Sequence, residues 1–132
     1  MKISIVVSKA LTPGQKANVS AIIMGQLGRD VINIYTDVVA DASGAMHAGI
    51  SVNVVVLEGG EKQLLNLIKG AQESDVGCVV FSATGQSLSN SYEEYKAQIS
   101  ASDTESTKIV GVGVYGEDAT VKTLTKKFSL AK

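Results

Sequence analysis

The chain has a single histidine, His47, set in the stretch Asp41-Ala-Ser-Gly-Ala-Met-His-Ala-Gly-Ile-Ser51. Imidazole has an ordinary pKa near neutrality, so His47 is the natural carrier of a proton between reacting groups. Asp41 lies close enough in sequence to fix the imidazole tautomer, and Ser51 close enough to act as a partner. A plainer role fits the same residues: a loop histidine that hydrogen-bonds locally and holds the Asp41–Gly44 turn, which the pair Ser43-Gly44 signals. Spacing leaves both roles open, because a catalytic triad is defined by geometry.

Other polar residues fall where ligands are met. Lys9 follows the first apolar stretch and suits an anionic ligand or an oxyanion; it equally suits a solvated strand end. Lys16 and Asn18 lie in the first turns of a helix, where free backbone N–H groups favour anions, although plain surface positions are common there. Thr84-Gly85-Gln86 offers a hydroxyl and an amide, and turn formation alone also explains it. For an enzyme, His47 is the general acid/base, Asp41 its orienter, and Lys9 or Lys16 the electrostatic stabiliser. Lys16, Asn18, Ser51, Thr84 and Gln86 are then the ligand contacts.

Cofactor signatures are missing. Gly111-Val-Gly113 lies inside a strand pattern, and Gly59-Gly60 lacks dinucleotide or Walker spacing. One histidine and one cysteine make no standard zinc set, so neither a metal nor a cofactor is expected. Cys78 sits in the apolar run Val76-Gly-Cys-Val-Val-Phe81 and reads as a small buried hydrophobe. Without a second cysteine there is no internal disulfide, and a reducing cytoplasm is the expected setting. Tyr92 and Tyr95 read as packing residues rather than a base-stacking platform.

The elements that must position these residues follow from periodicity. Ile3 to Val7 is largely β-branched and nearly continuous in its apolarity, the pattern of a strand buried on both faces. Thr12-Pro-Gly-Gln15 is a capping box with proline in the first turn, and it starts a helix that stops near Gly28. Val31 to Tyr35 reads as a short strand or an extended connection. Val52 to Leu57 is the second major strand, Glu61 to Glu73 a helix and Val76 to Phe81 the third strand. Ser82 to Asn90 reads as a polar loop, with a short helix near Tyr92–Ile99 and a surface loop from Ser100 to Thr107. Ile109 to Tyr115 is the fourth strand, and its Gly111 and Gly113 let something approach the sheet closely. Glu117 to Phe128 is an amphipathic helix.

This order predicts one three-layer α/β/α domain over residues 1–132 with a mainly four-stranded mixed sheet. Ligands in such sheets sit beyond the carboxyl ends of strands, where Ser8-Lys9 and Ser82–Gln86 lie. The 132 residues are 45% hydrophobic and 19% charged, enough for a core. A net charge of −1 argues against a broad basic face for nucleic acid, so tRNA is a poor partner, though a local basic pocket would suffice. No apolar run approaches the ~20 residues of a membrane span, so no membrane partner is expected.

The segments Lys2-Ile-Ser-Ile-Val-Val7, Leu11-Thr-Pro-Gly14, Asn18-Val19 and Asp41-Ala-Ser-Gly44 with His47-Ala-Gly-Ile50 together resemble a bacterial family, the domain of unknown function two-thousand. Tyr92-Glu-Glu-Tyr95, Gly111-Val-Gly-Val-Tyr-Gly116 and Leu124-Thr-Lys-Lys-Phe-Ser-Leu130 extend the resemblance over nearly the whole chain. The resemblance implies a fold like that of peptidyl-tRNA hydrolase II: a mixed four-stranded sheet flanked by helices, often in a homodimer. The hydrolase hallmark is an Asp-Leu pair, then Gly-Lys-x-Ala-Ala-Gln with a nearby His-Ala. Here Ala10-Leu11 stands for the first pair, and Lys16 matches the lysine with a one-residue shift. Asn18-Val19-Ser20 replaces Ala-Ala-Gln, and Ile23 or Met24 falls on the histidine. The resemblance therefore carries the fold without the hydrolase's acid, glutamine and histidine.

Three functions remain open on the sequence. The first is a binder of a small molecule or nucleotide-type ligand, extended to a metal-independent hydrolase or transferase if His47 moves protons. The second is a divergent peptidyl-tRNA hydrolase or RNA-binding protein. The third is a non-catalytic dimeric regulatory module with an exposed apolar face.

Overall fold

A computed structural model describes all 132 residues. In chain order its elements are β1 (Lys2–Ser8), α1 (Pro13–Asp30), β2 (Val39–Ala40), β3 (Met46–His47), β4 (Asn53–Gly59) and α2 (Glu61–Glu73). They continue with β5 (Gly77–Ser82), α3 (Ala83–Ser87), α4 (Tyr92–Ser100), β6 (Ile109–Gly116), α5 (Asp118–Thr125) and β7 (Ser129–Leu130). The main sheet has five strands in the order β5-β6-β1-β4-β7, and β2 and β3 form a separate ribbon. β1 and β4 run parallel, while β6 runs antiparallel to both β1 and β5, and β7 antiparallel to β4. No helix is long and apolar enough to cross a membrane.

The apolar run Ile3–Val7 is buried throughout, as expected of a strand covered on both faces. Ile3, Ile5 and Val7 join Val19, Ile23 and Leu27 of α1 in one core. Val6, Val112 and Val114 join Leu64, Leu67 and Ile68 of α2 and Val121 of α5 in the other. Helices therefore cover both faces of the sheet. Helix α1 starts as its sequence requires: Thr12 Oγ1 accepts from the Gln15 N–H at 3.3 Å, and Gln15 Oε1 accepts from the Thr12 N–H at 2.9 Å.

The expected close approach to β6 is made by α1. A β-carbon on Gly111 would stand 2.5 Å from Val19 Cγ1, and one on Gly113 would stand 2.5 Å from Ile23 Cγ2. These glycines let the helix lie down on the centre of the sheet.

Three expectations need correction. The sheet has five strands rather than four. The added strand, β7, is two exposed residues long and carries no strand pattern to read. It exists because the last helix ends at Thr125 rather than Phe128: the Phe128 N–H turns back to the Thr125 carbonyl at 3.1 Å, and Ser129–Leu130 pair with the edge of β4. Within the expected polar loop Ser82–Asn90, Ala83–Ser87 is helical, because Ser82 Oγ caps it by accepting from the Gly85 N–H. The stretch Val31–Tyr35 takes the second of its two expected forms, a connection, with Tyr35 making one isolated antiparallel bridge to Ile50.

Gly113→Ala would force Ile23 away from its seat in an already filled core, an overpacking cost of about 1–3 kcal/mol. Urea unfolding should show a lower midpoint with an unchanged slope.

Candidate functional site

The parallel neighbours β1 and β4 send their following helices to opposite faces: α1 to one core and α2 to the other. Such a reversal opens a crevice beyond the carboxyl ends of the two strands, the general ligand position in α/β sheets. Here it lies between Ser8-Lys9 and Gly59-Gly60, joined by the Lys9 N–H donating to the Gly59 carbonyl at 3.0 Å. Gln63 Oε1 accepts from the Gly60 N–H at 2.8 Å and so shapes the entry into α2. A β-carbon on Gly60 would meet Gln63 Oε1 at 3.7 Å and Lys9 Cε at 3.9 Å, so Gln63 and Lys9 flank the same glycine.

A cavity of about 290 Å³ adjoins this crevice between α2 and α5. Leu67, Leu124 and Phe128 give it an apolar floor, and Gln63, Asn66, Lys126 and Lys127 are among its polar walls. No carboxylate lines it. Phe128 rests on Gly59, whose β-carbon would stand 2.5 Å from the ring. The cavity and the strand ends thus share Gln63 and Phe128 as a common wall.

Lys16 belongs to the same end of the sheet but is closed off. It sits on the inner side of α1, and its Nζ lies 2.8 Å from Glu58 Oε1, with side-chain exposures of 11% and 18%. Nζ also donates to the Lys132 carbonyl at 3.2 Å, and the Lys132 N–H donates to Glu58 Oε1 at 2.9 Å. The hydrogen bond from Lys16 and then that from the Lys132 N–H hold the Glu58 carboxyl below its ordinary pKa. Two of the three ammonium donors of Lys16 are therefore taken by protein groups.

His47 and Asp41 do come together. His47 Nε2 lies 2.7 Å from Asp41 Oδ2. Asp41 Oδ1 accepts from the Ser43 and Ala45 N–H groups at 2.9 and 3.0 Å, closing a turn that holds Gly44 at φ +89°. The bond to His47 and then the backbone donors lower the Asp41 pKa. Both roles read from sequence thus rest on one pair, but that pair stands in water: the two side chains are 62% and 41% exposed on the β2–β3 ribbon. The ribbon springs from the end of α1 and returns into the first residue of β4, at the end of the sheet away from Lys9. Seven residues of strand at about 3.3 Å each put its root roughly 20 Å from the crevice.

The other expected contacts are scattered. Ser51 Oγ donates to the Asn33 and Ile34 carbonyls, tying the root of the ribbon. Asn18 is exposed on the outer side of α1. Thr84 and Gln86 lie on α3 beyond β5, two strand spacings from β1, or about 10 Å across the sheet. Cys78 is half-buried, and burial pushes its thiol up to about 11, which keeps it protonated. No three His, Cys, Asp or Glu side chains converge as metal ligands.

The whole chain, residues 1–132, matches the family described as "Protein of unknown function (DUF2000)". The chain belongs to this family. No curated protein matches it. Among solved structures it is similar to a protein of unknown function from Agrobacterium tumefaciens, with a TM-score of 0.87 at 20% identity over 99% of this chain and 97% of that one. That likeness shows the fold.

Sequence reasoning missed Gln63, Asn66, Lys126, Lys127 and Phe128. Gln63 was one residue among others of the expected helix from Glu61 to Glu73, and the lysines lay on the outward side of the expected last helix. What brings them together is the turn after Thr125, which the amphipathic pattern did not show.

The Lys16–Glu58 pair makes a pH-dependent contribution to stability. The folded Glu58 pKa lies below its ordinary 4.5, so the contribution is whole above that value and is lost as pH falls through the lower folded value. Lys16→Met leaves Glu58 without its cation. Thermal melts should show a lower melting temperature at neutral pH and a weaker acid-side loss. Lys16→Met/Glu58→Leu should regain most of the neutral-pH loss, because an apolar pair replaces the ion pair.

Proposed function

We propose that this protein binds a small anionic ligand, of the nucleotide or sugar-phosphate kind, at the strand-end crevice and its adjoining cavity. The observation that carries the reading is the cavity of about 290 Å³ with an apolar floor, two lysines and no carboxylate, beside the carboxyl ends of β1 and β4. Small-ligand sites are mostly apolar with a few converging polar groups, and about 300 Å³ is the lower end of their usual size. Lys126 and Lys127 supply charge on one side and Lys9 on the other, while Gln63 and Asn66 offer amides for orientation. An apolar ring or chain would lie on Leu67, Leu124 and Phe128.

In this reading His47 acts outside the binding site and braces the ribbon turn through Asp41. Lys16 holds the strand ends in place through Glu58. The helix-flanked mixed sheet accords with a peptidyl-tRNA hydrolase II-like fold, which we include in the proposal as a statement about architecture alone.

Thermal shift with nucleotides, sugar phosphates, aminoacyl esters and tRNA tests the reading, because a ligand that binds the folded chain raises its melting temperature by linkage. A phosphorylated small molecule should raise it in the wild type and in His47→Ala. The shift should vanish in Lys126→Ala/Lys127→Ala, whose exposed side chains leave the unliganded melt unchanged. No shift with any of these compounds, or a shift lost in His47→Ala and kept in the double-lysine variant, would overturn the proposal.

A further inference from the structure

Helix α4 is nine residues long and buries none of them. A helix that short is marginal by itself and depends on what its apolar stripe covers. The stripe is Tyr92, Tyr95 and Ile99, spaced to share one side of the helix. Its far half faces the sheet, where Tyr95 and Ile99 line a small gap of about 160 Å³ with Val80 and Ile109. Its near half does not. Of the two tyrosines expected to pack, Tyr95 is half-buried and Tyr92 is 65% exposed.

Tyr92 borders a second cavity, of about 300 Å³, on the α1 side of the edge strand β5. Leu88, Tyr92 and Tyr95 line it from the α3–α4 segment, Ile22 from α1 and Phe81 from β5. Ile22 is the one large apolar side chain that α1 leaves exposed. The Phe81 ring takes the place that a side chain on Gly85 would fill, since a β-carbon there would stand 2.4 Å from Phe81 Cε1. Ser89 is the remaining polar residue of the lining, and no charged side chain reaches it. The hydroxyls of Ser89, Tyr92 and Tyr95 make no hydrogen bond within the chain.

We propose that this cavity is a second binding site, and that it takes a small uncharged aromatic molecule with a hydrogen-bonding substituent. Three observations select that class. The first is size: about 300 Å³ is the lower end for small-molecule sites, whereas a partner helix needs a longer groove with several anchors. The second is shape chemistry. Aromatic rings from β5 and from α4 border one space, and aromatic pairs gain from offset or edge-to-face contact beyond the area they bury. The third is charge. With no ion lining the cavity, a charged ligand would lose its water without gaining a partner, which is costly. The three free hydroxyls supply hydrogen bonds to a neutral polar substituent instead. This sets the cavity apart from the one between α2 and α5, which presents Lys126 and Lys127. The proposal holds whether or not that other cavity receives an anion.

The test is titration of the isotope-labelled full chain with naphthol and with naphthoate, the same rings carrying a carboxylate, followed by amide chemical shifts. Naphthol should give saturable shifts at Ile22, Gly85, Leu88 and Tyr92–Tyr95, and naphthoate should bind at least ~10-fold more weakly. Ile22→Asp sets an unpaired charge on the wall and should weaken naphthol at least ~10-fold. Tyr92→Ala should weaken it to a similar degree, whereas Tyr92→Phe, which keeps the ring, should stay within ~3-fold of the wild type. Ile22 and Tyr92 are exposed in the unliganded chain, so the variants' amide spectra should show the fold retained. No saturable shift at these residues, naphthoate binding as tightly as naphthol, or an affinity unchanged in Ile22→Asp would overturn the proposal.

Discussion

Strand β1 has almost no surface left for water. Ile3, Ile5 and Val7 lie under α1, Val6 lies under α2 and α5, and the main chain pairs with β4 on one side and β6 on the other. A strand apolar on both faces demands a layer of helix on each. With β1 and β4 side by side and parallel, α1 takes one face and α2 the other. The crevice at the ends of the two strands follows from that division, with no sequence motif needed to create it. The glycines of β6 serve the same constraint, since α1 reaches β1 only by lying on a strand without side chains in its way.

The polar chemistry at this end of the sheet is of two kinds. Lys16 and Glu58 are nearly closed to solvent and bonded to each other and to the main chain of Lys132. Such a pair contributes little net stability over an apolar replacement but punishes loss of either member, so it acts mainly to fix geometry. It ties the start of α1 to the end of β4 and to the segment after β7. Lys9, Lys126 and Lys127 are exposed and have no ion pair within 4.0 Å. Their charge is available to something outside the chain. The ribbon at the opposite end is a third environment, where a histidine and a carboxylate meet in water and the apolar side chains are the ones left without partners.

The sequence made the core legible because a buried strand leaves a run of β-branched residues and a capped helix leaves Thr12 and Gln15 at the right spacing. It also showed that Gly111 and Gly113 must receive something, and α1 is what they receive. The contact of His47 with Asp41 was within reach of sequence, since six residues around a Ser-Gly turn bring one side chain back to the other. Their distance from Lys9 was not, because it depends on which end of the sheet the ribbon leaves. β7 was invisible for a similar reason: two exposed residues become a strand only because β4 has an open edge beside them. Lys126 and Lys127 looked like solvent-facing helix residues until that turn placed them on a cavity wall.

The central claim is that the ends of β1 and β4, rather than the histidine ribbon, receive the ligand. Titration of the isotope-labelled full chain with a nucleoside monophosphate and with inorganic phosphate, followed by amide chemical shifts, tests it most directly. The account expects saturable shifts at Lys9, Gly60, Gln63 and Lys126–Phe128, with Asp41–Ser51 unmoved. Shifts confined to Asp41–Ser51, or an unperturbed spectrum with both ligands, would contradict it.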